Sequence, residues 1–267
     1  MGSELTSWAL DLDGVIWRGT ETVAGSPQAV AQLRAAGLPI AFVTNSAQRT
    51  PAQVAEKLAA HGIPDAEHEV ITAAMAAAEM VEPGSRVLVI GGDGLRDALH
   101  TSGADVVDAV TCSEQELRSL GPVDVVMVGI TERFDYRLLT AAMRAIDRGA
   151  RFVATNTDAT FPAADGLLPG NGAIVAAVAT ATNREPEVAG KPHQPIANLV
   201  HRHLGHDGVM VGDRPDTDGV FADVVGYRFA LVLTGVTGES DLPVTPSPSV
   251  VAPSLLALVE QHLGEVR

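Results

Sequence analysis

Two aspartates raise the first chemical question in this chain. In Trp8-Ala9-Leu10-Asp11-Leu12-Asp13-Gly14, an apolar run suited to a buried strand ends in two carboxylates two residues apart. Residues i and i+2 of a strand share a face. Asp11 and Asp13 would therefore repel each other, and burial raises that cost. Three more polar clusters follow an apolar run or occupy a tight turn. They are Thr44-Asn45 after Ala41-Phe42-Val43, Gly190-Lys191-Pro192, and Gly212-Asp213-Arg214-Pro215-Asp216-Thr217-Asp218 after Val209-Met210-Val211. Ligands of open parallel sheets bind beyond the carboxyl ends of the strands. Each cluster alone has a plain structural reading. Asp13 can be an N-cap, Thr44-Asn45 a turn, Lys191 a solvated side chain, and Asp213 to Asp218 an acidic start to a helix. Four in this order, each at a strand end or turn, do not read as independent surface decoration.

The elements that must position these residues alternate between short β-rich apolar runs and helical patterns, the signature of a parallel α/β sheet. A first series contains strands over 7–11 and 39–44 and helices over 27–36, 51–61 and 72–81, with Gly37 and Gly62 as stops and Thr50-Pro51 as a helix start. Glu82-Pro83-Gly84 reads as a linker. A second series has strands over 87–90, 123–128 and 152–155 and helices over 94–102, 136–148 and 173–182. After Asn183-Arg184-Glu185-Pro186 a third series has strands over 208–211 and 228–233 and helices over 195–204, 217–225 and 254–263. This organisation predicts a Rossmann-like parallel-sheet core from residues 1–81 and 187–267, with 82–186 inserted as a separate α/β domain.

Composition narrows the functions available. At 267 residues and 46% hydrophobic, the chain can bury one large core or two smaller ones. A formal charge of −15 argues against nucleic acid as a partner, and it means an anionic substrate needs a local positive centre. One cysteine, Cys112, allows no internal disulfide and points to a reducing compartment. Without a run of transmembrane length or a signal-peptide pattern, the expectation is a cytoplasmic protein with no membrane partner. Val89-Ile90-Gly91-Gly92-Asp93-Gly94 lacks the full spacing of a dinucleotide-binding turn. His201 and His203 would point to different sides of a helix and are read as a solvated helix end rather than a zinc site. Arg133 and Arg137 read as surface charge, and Trp8, Trp17 and Ala73–Ala78 as packing.

The chain resembles the haloacid dehalogenase-like phosphatases, specifically the NagD-like class IIA branch that also holds 4-nitrophenylphosphatases and phosphoglycolate and glycerol-phosphate phosphatases. The resemblance runs nearly end to end. D-L-D-G-V-I-W-R-G, F-V-T-N, G-K-P, G-D-R-P-D-T-D and A-L-V-L-T-G-V-T carry it in the core. T-N-T-D-A-T-F-P followed by G-L-L-P-G-N-G-A carries it in the insert. It implies a C2-type cap in the insert, a Mg²⁺ cofactor, and hydrolysis of small phosphate monoesters through an aspartyl phosphate. Glycerol phosphate, phosphoglycolate, 4-nitrophenyl phosphate and nucleoside monophosphates are the substrates it suggests, with a homodimer through the cap as an expectation.

By this resemblance Asp11 is the nucleophile and Asp13 the general acid and base. Asp11 and Asp213 supply side-chain oxygens to the metal and Asp13 a backbone carbonyl, with Asp218 behind them. Thr44, Asn45, Lys191 and the backbone amides of Leu12 and Asp13 hold the transferring phosphoryl group. Asn156, Asp158 and Phe161 face the leaving group from the cap. The physics is consistent. A carboxylate about 3.3 Å from a phosphate dianion is repelled by roughly 10 kcal/mol at an effective dielectric near 20, which a divalent cation would cancel. The second aspartate separates phosphate-ester hydrolysis from dehalogenation, whose leaving halide needs no proton. Pro215 stands where relatives commonly carry a larger apolar residue, a departure at the helix start rather than at the ligands. Two alternatives stay open: a phosphotransferase or mutase using the same aspartyl phosphate, and a catalytically silent binding protein of the same fold.

Overall fold

The computed structural model describes residues 7–163 and 166–265. Its chain divides into two compact units. One comprises Met1–Thr44, Pro51–Ile71 and Lys191–Arg267, and the other Asn45–Thr50 and Thr72–Gly190.

The first unit is built on a six-stranded sheet in the order Val250–Ala252, Arg228–Val232, Val209–Gly212, Trp8–Leu10, Ile40–Thr44, Val70–Thr72. Counted along the chain among themselves, these strands run 6-5-4-1-2-3 across the sheet. In this doubly wound order the strand sequence reverses next to the first strand, and the crevice at that reversal is the usual ligand position. Trp8–Leu10 pairs in parallel with both Val209–Val211 and Ile40–Phe42. Asp11 N–H extends the pairing by donating to the Val211 carbonyl at 2.9 Å. Sheets of this type are covered on both faces, so their central strands are continuous apolar runs. Trp8, Ala9 and Leu10 are fully buried, as are Ala41, Phe42 and Val43. Helices Ser26–Ala35, Pro51–Ala60, Gln194–Leu204, Val220–Val225 and Leu255–Glu265 complete the unit.

The second unit has its own five-stranded parallel sheet in the order Glu187–Val188, Arg151–Ala154, Val125–Val128, Arg86–Ile90, Asp105–Asp108. Helices Asp93–Thr101, Tyr136–Asp147 and Asn171–Thr182 belong to it, and Leu88, Val126, Leu138, Ile146 and Val178 anchor its separate core. Thr160–Ala163 and Gly166–Pro169 form a small antiparallel hairpin. Among the described residues no helix is long and apolar enough to cross a membrane.

The unit boundaries differ from the expected insert of 82–186. Pro83-Gly84 is a turn inside the second unit, where Gly84 N–H donates to the Gly103 carbonyl at 2.8 Å. The preceding helix, Ala73–Ala78, belongs to that unit as well. At the far end, residues 187–190 continue as an edge of its sheet, with Ala189 N–H on the Ala154 carbonyl and Gly190 N–H on that of Thr155. Asn45–Thr50 joins it through hydrogen bonds from Asn156 Nδ2 to the Asn45 carbonyl and from Gly94 N–H to that of Gln48. The expected helix over 217–225 is also altered. Pro215–Gly219 forms one wide π-type turn, and the α-helix starts only at Val220. The Arg214 carbonyl accepts from Thr217, Asp218 and Gly219 within that turn, a geometry often found at functional sites.

Phe42 is fully buried at the centre of the six-stranded sheet, two residues before Thr44. Phe42→Ala leaves a cavity that close-packed neighbours fill only in part. It should lower unfolding stability by about 3–5 kcal/mol, read as a shifted urea midpoint at unchanged slope.

Candidate active site

Asp11 and Asp213 each follow one of the two adjacent strands at the reversal point, Trp8–Leu10 and Val209–Gly212. Lys191 enters from the start of the last chain segment. Its ammonium donates to Asp11 Oδ1 at 2.7 Å and to Asp218 Oδ1 at 2.8 Å. The wide turn after Arg214 brings Asp218 there, and the backbone N–H of Arg214 donates to its other oxygen, Oδ2, at 3.2 Å. Carboxylate oxygens of Asp11, Asp213 and Asp218 all lie within 4.8 Å of one another. Lys191, Asp213 and Asp218 are buried, whereas the Asp11 side chain keeps 13% of its exposure and can be reached.

Asp213 is held by a second loop. Its Oδ2 accepts from the Val236 backbone N–H at 2.5 Å, and Thr237 N–H donates to its carbonyl at 3.3 Å. Its Oδ1 is buried with no hydrogen-bond partner. Glycines make room for these carboxylates. A Cβ on Gly14 or Gly235 would collide with Asp213, and one on Gly212 would collide with Asp218. Gly14 also has a φ of 80°, a conformation open to glycine at little cost. Thr234 ties the two loops together, its hydroxyl donating to the Gly14 carbonyl at 2.6 Å.

The electrostatics follow from this crowding. Burial raises the Asp11 carboxyl above its ordinary value, with the Lys191 ammonium opposing and the Asp13 charge adding. Burial, and then the charges of Asp11 and Asp218, push Asp213 up to about 7. Burial likewise pushes Asp218 up to about 6, with Lys191 opposing. Burial alone would lower Lys191, but Asp11 and Asp218 outweigh it and hold the ammonium above the usual lysine range. Hard oxygen donors grouped this closely, one of them a buried oxygen lacking any partner, suit a divalent cation such as Mg²⁺ or Ca²⁺. Asp11 and Asp213 are the residues that fit it, with Asp218 beside them and its two oxygens engaged by Lys191 and the Arg214 N–H.

The remaining expected positions are distributed as follows. Thr44 is buried at the carboxyl end of its strand. The Leu12 backbone N–H bonds the Asp11 carboxylate, while the Leu12 side chain is core. Asp13 is exposed on the same loop. Asn45 belongs to the second unit, where its amide donates to both Asp158 oxygens at 3.1 and 3.3 Å. Asn156 is buried there, accepting from Asp158 N–H at 3.1 Å. Phe161 lies on the small hairpin opposite Leu168. His201 belongs to no metal-ligating cluster among the described residues; its Nε2 meets the Val225 carbonyl and its ring lies tilted by 46° against that of His206, 4.1 Å between centroids. Sequence reasoning quoted Gly235 and Val236 within A-L-V-L-T-G-V-T but gave them no role, although a glycine just after the apolar run Ala230–Leu233 was a readable signal of close backbone approach.

A family model described as haloacid dehalogenase-like hydrolase matches residues 8–105, and a second HAD-hydrolase-like model matches 188–258. An acid sugar phosphatase of Staphylococcus epidermidis is 36% identical over 242 residues, covering 88% of this chain and 89% of the relative. A p-nitrophenyl phosphatase from Archaeoglobus fulgidus superposes with a TM-score of 0.86 at 32% identity, covering 97% of this chain and 99% of that one. A glycerol phosphate phosphatase from Mycobacterium tuberculosis, solved in complex with magnesium, gives 0.85 at 34% identity, covering 96% and 76%.

Three expectations follow from the geometry and electrostatics. The folded pKa values of Asp213 and Asp218 lie above the ordinary carboxylate value, so the unfolded chain ionises first. Their contribution to metal-free stability is therefore full below about pH 4 and is lost as pH rises through about 6 to 7. Protons also compete with a cation for these oxygens, so calorimetric affinity for a divalent cation should weaken as pH falls from about 7.5 to about 5.5. Gly235→Ala drives a methyl group into the Asp213 carboxylate. It should weaken cation binding by at least about tenfold and lower the melting temperature.

Proposed function

The chain belongs to the haloacid dehalogenase-like hydrolases, in their class IIA phosphatase branch, and from that premise we propose that it is a Mg²⁺-dependent phosphatase that cleaves small phosphate monoesters through an aspartyl phosphate on Asp11. The observation that carries the reading is the convergence of Asp11, Lys191, Asp213 and Asp218 at the reversal point of the core sheet. Mg²⁺ would be held by carboxylate oxygens of Asp11 and Asp213 and the backbone carbonyl of Asp13, with Asp218 behind them. When bound, it supplies charge neutralisation and polarisation of the phosphoryl oxygens.

The chain's own groups do the rest. A carboxylate oxygen of Asp11 forms a bond to phosphorus as the ester P–O bond breaks, and that bond's electron pair leaves with the alcohol oxygen. Asp13 delivers a proton to the departing oxygen, then takes one from the water that hydrolyses the aspartyl phosphate. Lys191, the Thr44 hydroxyl and the amides of Leu12 and Asp13 bind the transferring phosphoryl oxygens and stabilise charge there. Lys191 is the local positive centre that a chain of net charge −15 needs to admit an anion.

The substrate is a small phosphorylated metabolite. The sugar phosphatase, glycerol phosphate phosphatase and p-nitrophenyl phosphatase names of the relatives favour phosphorylated sugars and polyols, with aryl phosphates as artificial substrates. Phosphoglycolate and nucleoside monophosphates belong in the same panel.

Phosphate release should be measured over that panel with Mg²⁺ and with a chelator. Activity should vanish on chelation and return with Mg²⁺, and Asp11→Asn should fall to background while still folding. Undiminished turnover in either arm refutes the mechanism, and transfer of the phosphoryl group to an added alcohol in place of water would make the protein a phosphotransferase.

A further inference from the structure

The loop that carries Asp13 is held by a residue six positions beyond the nucleophile. The Leu12 carbonyl accepts from Val15, Ile16 and Trp17, and Gly14 N–H donates to the Trp17 carbonyl at 2.7 Å. From this closed turn the Trp17 side chain folds back, and its indole Nε1–H donates to Asp13 Oδ1 at 3.0 Å. The contrast in burial is marked: Trp17 is 3% exposed, while Asp13 is exposed. The indole is fixed in turn by its neighbours. Lys57 Nζ lies 3.8 Å from the ring centroid, and the His61 ring stacks at 5.1 Å with a 32° tilt. His61 Nδ1 is hydrogen-bonded to the Thr22 hydroxyl at 2.7 Å.

An exposed aspartate ordinarily samples several staggered rotamers. A hydrogen bond from a buried, packed ring restricts that freedom. The indole N–H is a donor only and cannot reverse its role. Asp13 Oδ1 therefore accepts from it, and Oδ2 is the oxygen that would carry a transferable proton.

We infer that Trp17 is the positioning residue for Asp13: its indole N–H holds one carboxyl oxygen so that the other faces the leaving group. This rests on the proposed role of Asp13 as general acid and base. In the step concerned, the Asp11 oxygen–phosphorus bond forms and the ester P–O bond breaks. The released electron pair stays on the alcohol oxygen, and the proton on Asp13 Oδ2 passes to it. Misplacing a reacting group by about 1 Å costs on the order of a hundredfold, so loss of the anchor is felt wherever that proton is needed.

The test uses leaving groups that differ in their need for a proton. A 4-nitrophenolate departs as a stable anion, whereas an aliphatic alkoxide does not. The probes are 4-nitrophenyl phosphate and the aliphatic phosphate hydrolysed best in the panel above, compared by kcat/KM in the wild type, Trp17→Phe and Asp13→Asn. Trp17→Phe keeps a ring and removes the N–H. It should lower the aliphatic value by about tenfold or more and the aryl value by less than about threefold, and Asp13→Asn should show the same selectivity more strongly. The ratio between substrates does not depend on the fraction of folded enzyme. Equal losses on both substrates in Trp17→Phe, beside a selective Asp13→Asn, overturn the positioning role alone. A non-selective Asp13→Asn removes the acid role of Asp13 itself, and this inference with it.

A second readout does not depend on the Trp17 variant folding. The chain has 2 tryptophans, so its indole N–H region holds two resonances. Asp13→Ala should shift the Trp17 indole proton and leave that of Trp8 in place; an unmoved Trp17 signal would contradict the hydrogen bond.

Discussion

Three crowded carboxylates share one ammonium. Asp11, Asp213 and Asp218 present oxygens within 4.8 Å of one another, and Lys191 bridges two of them. If all four groups ionise, two negative charges remain uncompensated, the amount a single divalent cation cancels. Breaking a buried pair by removing one partner typically costs about 3–5 kcal/mol, so Lys191 and its two aspartates stand or fall together. Burial, with the charges of Asp11 and Asp218 adding, lifts Asp213 to about 7, which couples the occupancy of the site to both protons and metal.

The surrounding structure meets this constraint with backbone rather than with bulk. Strand ends at the reversal point deliver Asp11 and Asp213 side by side, and the wide turn at Pro215–Gly219 returns Asp218 toward Lys191. Main-chain N–H groups of Leu12, Arg214 and Val236 donate to the three carboxylates. Glycines at 14, 212 and 235 leave the space that side chains would otherwise occupy. Such donors are fixed before any ligand arrives, so the site needs little reorganisation.

Asp11 and Asp213 were legible in the sequence because each follows an apolar run of a parallel sheet, where ligands bind, and Lys191 because it occupies the tight turn Gly190-Lys191-Pro192. The alternation of strand and helix likewise revealed the core sheet, and the matches to known phosphatases fit the D-x-D reading. What escaped has physical reasons. Short edge strands such as Asp105–Asp108 and Glu187–Val188 carry few apolar residues, so periodicity does not mark them. Pro83-Gly84 signals a turn, and a turn inside a unit looks the same in sequence as a linker between units. The acidic composition after Arg214 reads equally as an ordinary helix start, so it does not reveal the wide turn at Pro215–Gly219. Trp17 was read as packing, and it does pack; its bond to Asp13 depends on a chain reversal that sequence spacing does not specify.

The order of the segments has a consequence for synthesis on the ribosome. Thr72–Gly190 is one continuous stretch carrying its own parallel sheet, complete before any later residue emerges. The six-stranded sheet must wait, because Trp8–Leu10 finds its neighbour Val209–Gly212 only after about two hundred intervening residues have been made. During that interval the nascent strand can pair with Ile40–Phe42 on one side only, and its other edge stays open, the kind of exposed edge that invites aggregation. A cell making this protein quickly should therefore depend on chaperones for its amino-terminal strand far more than for its middle.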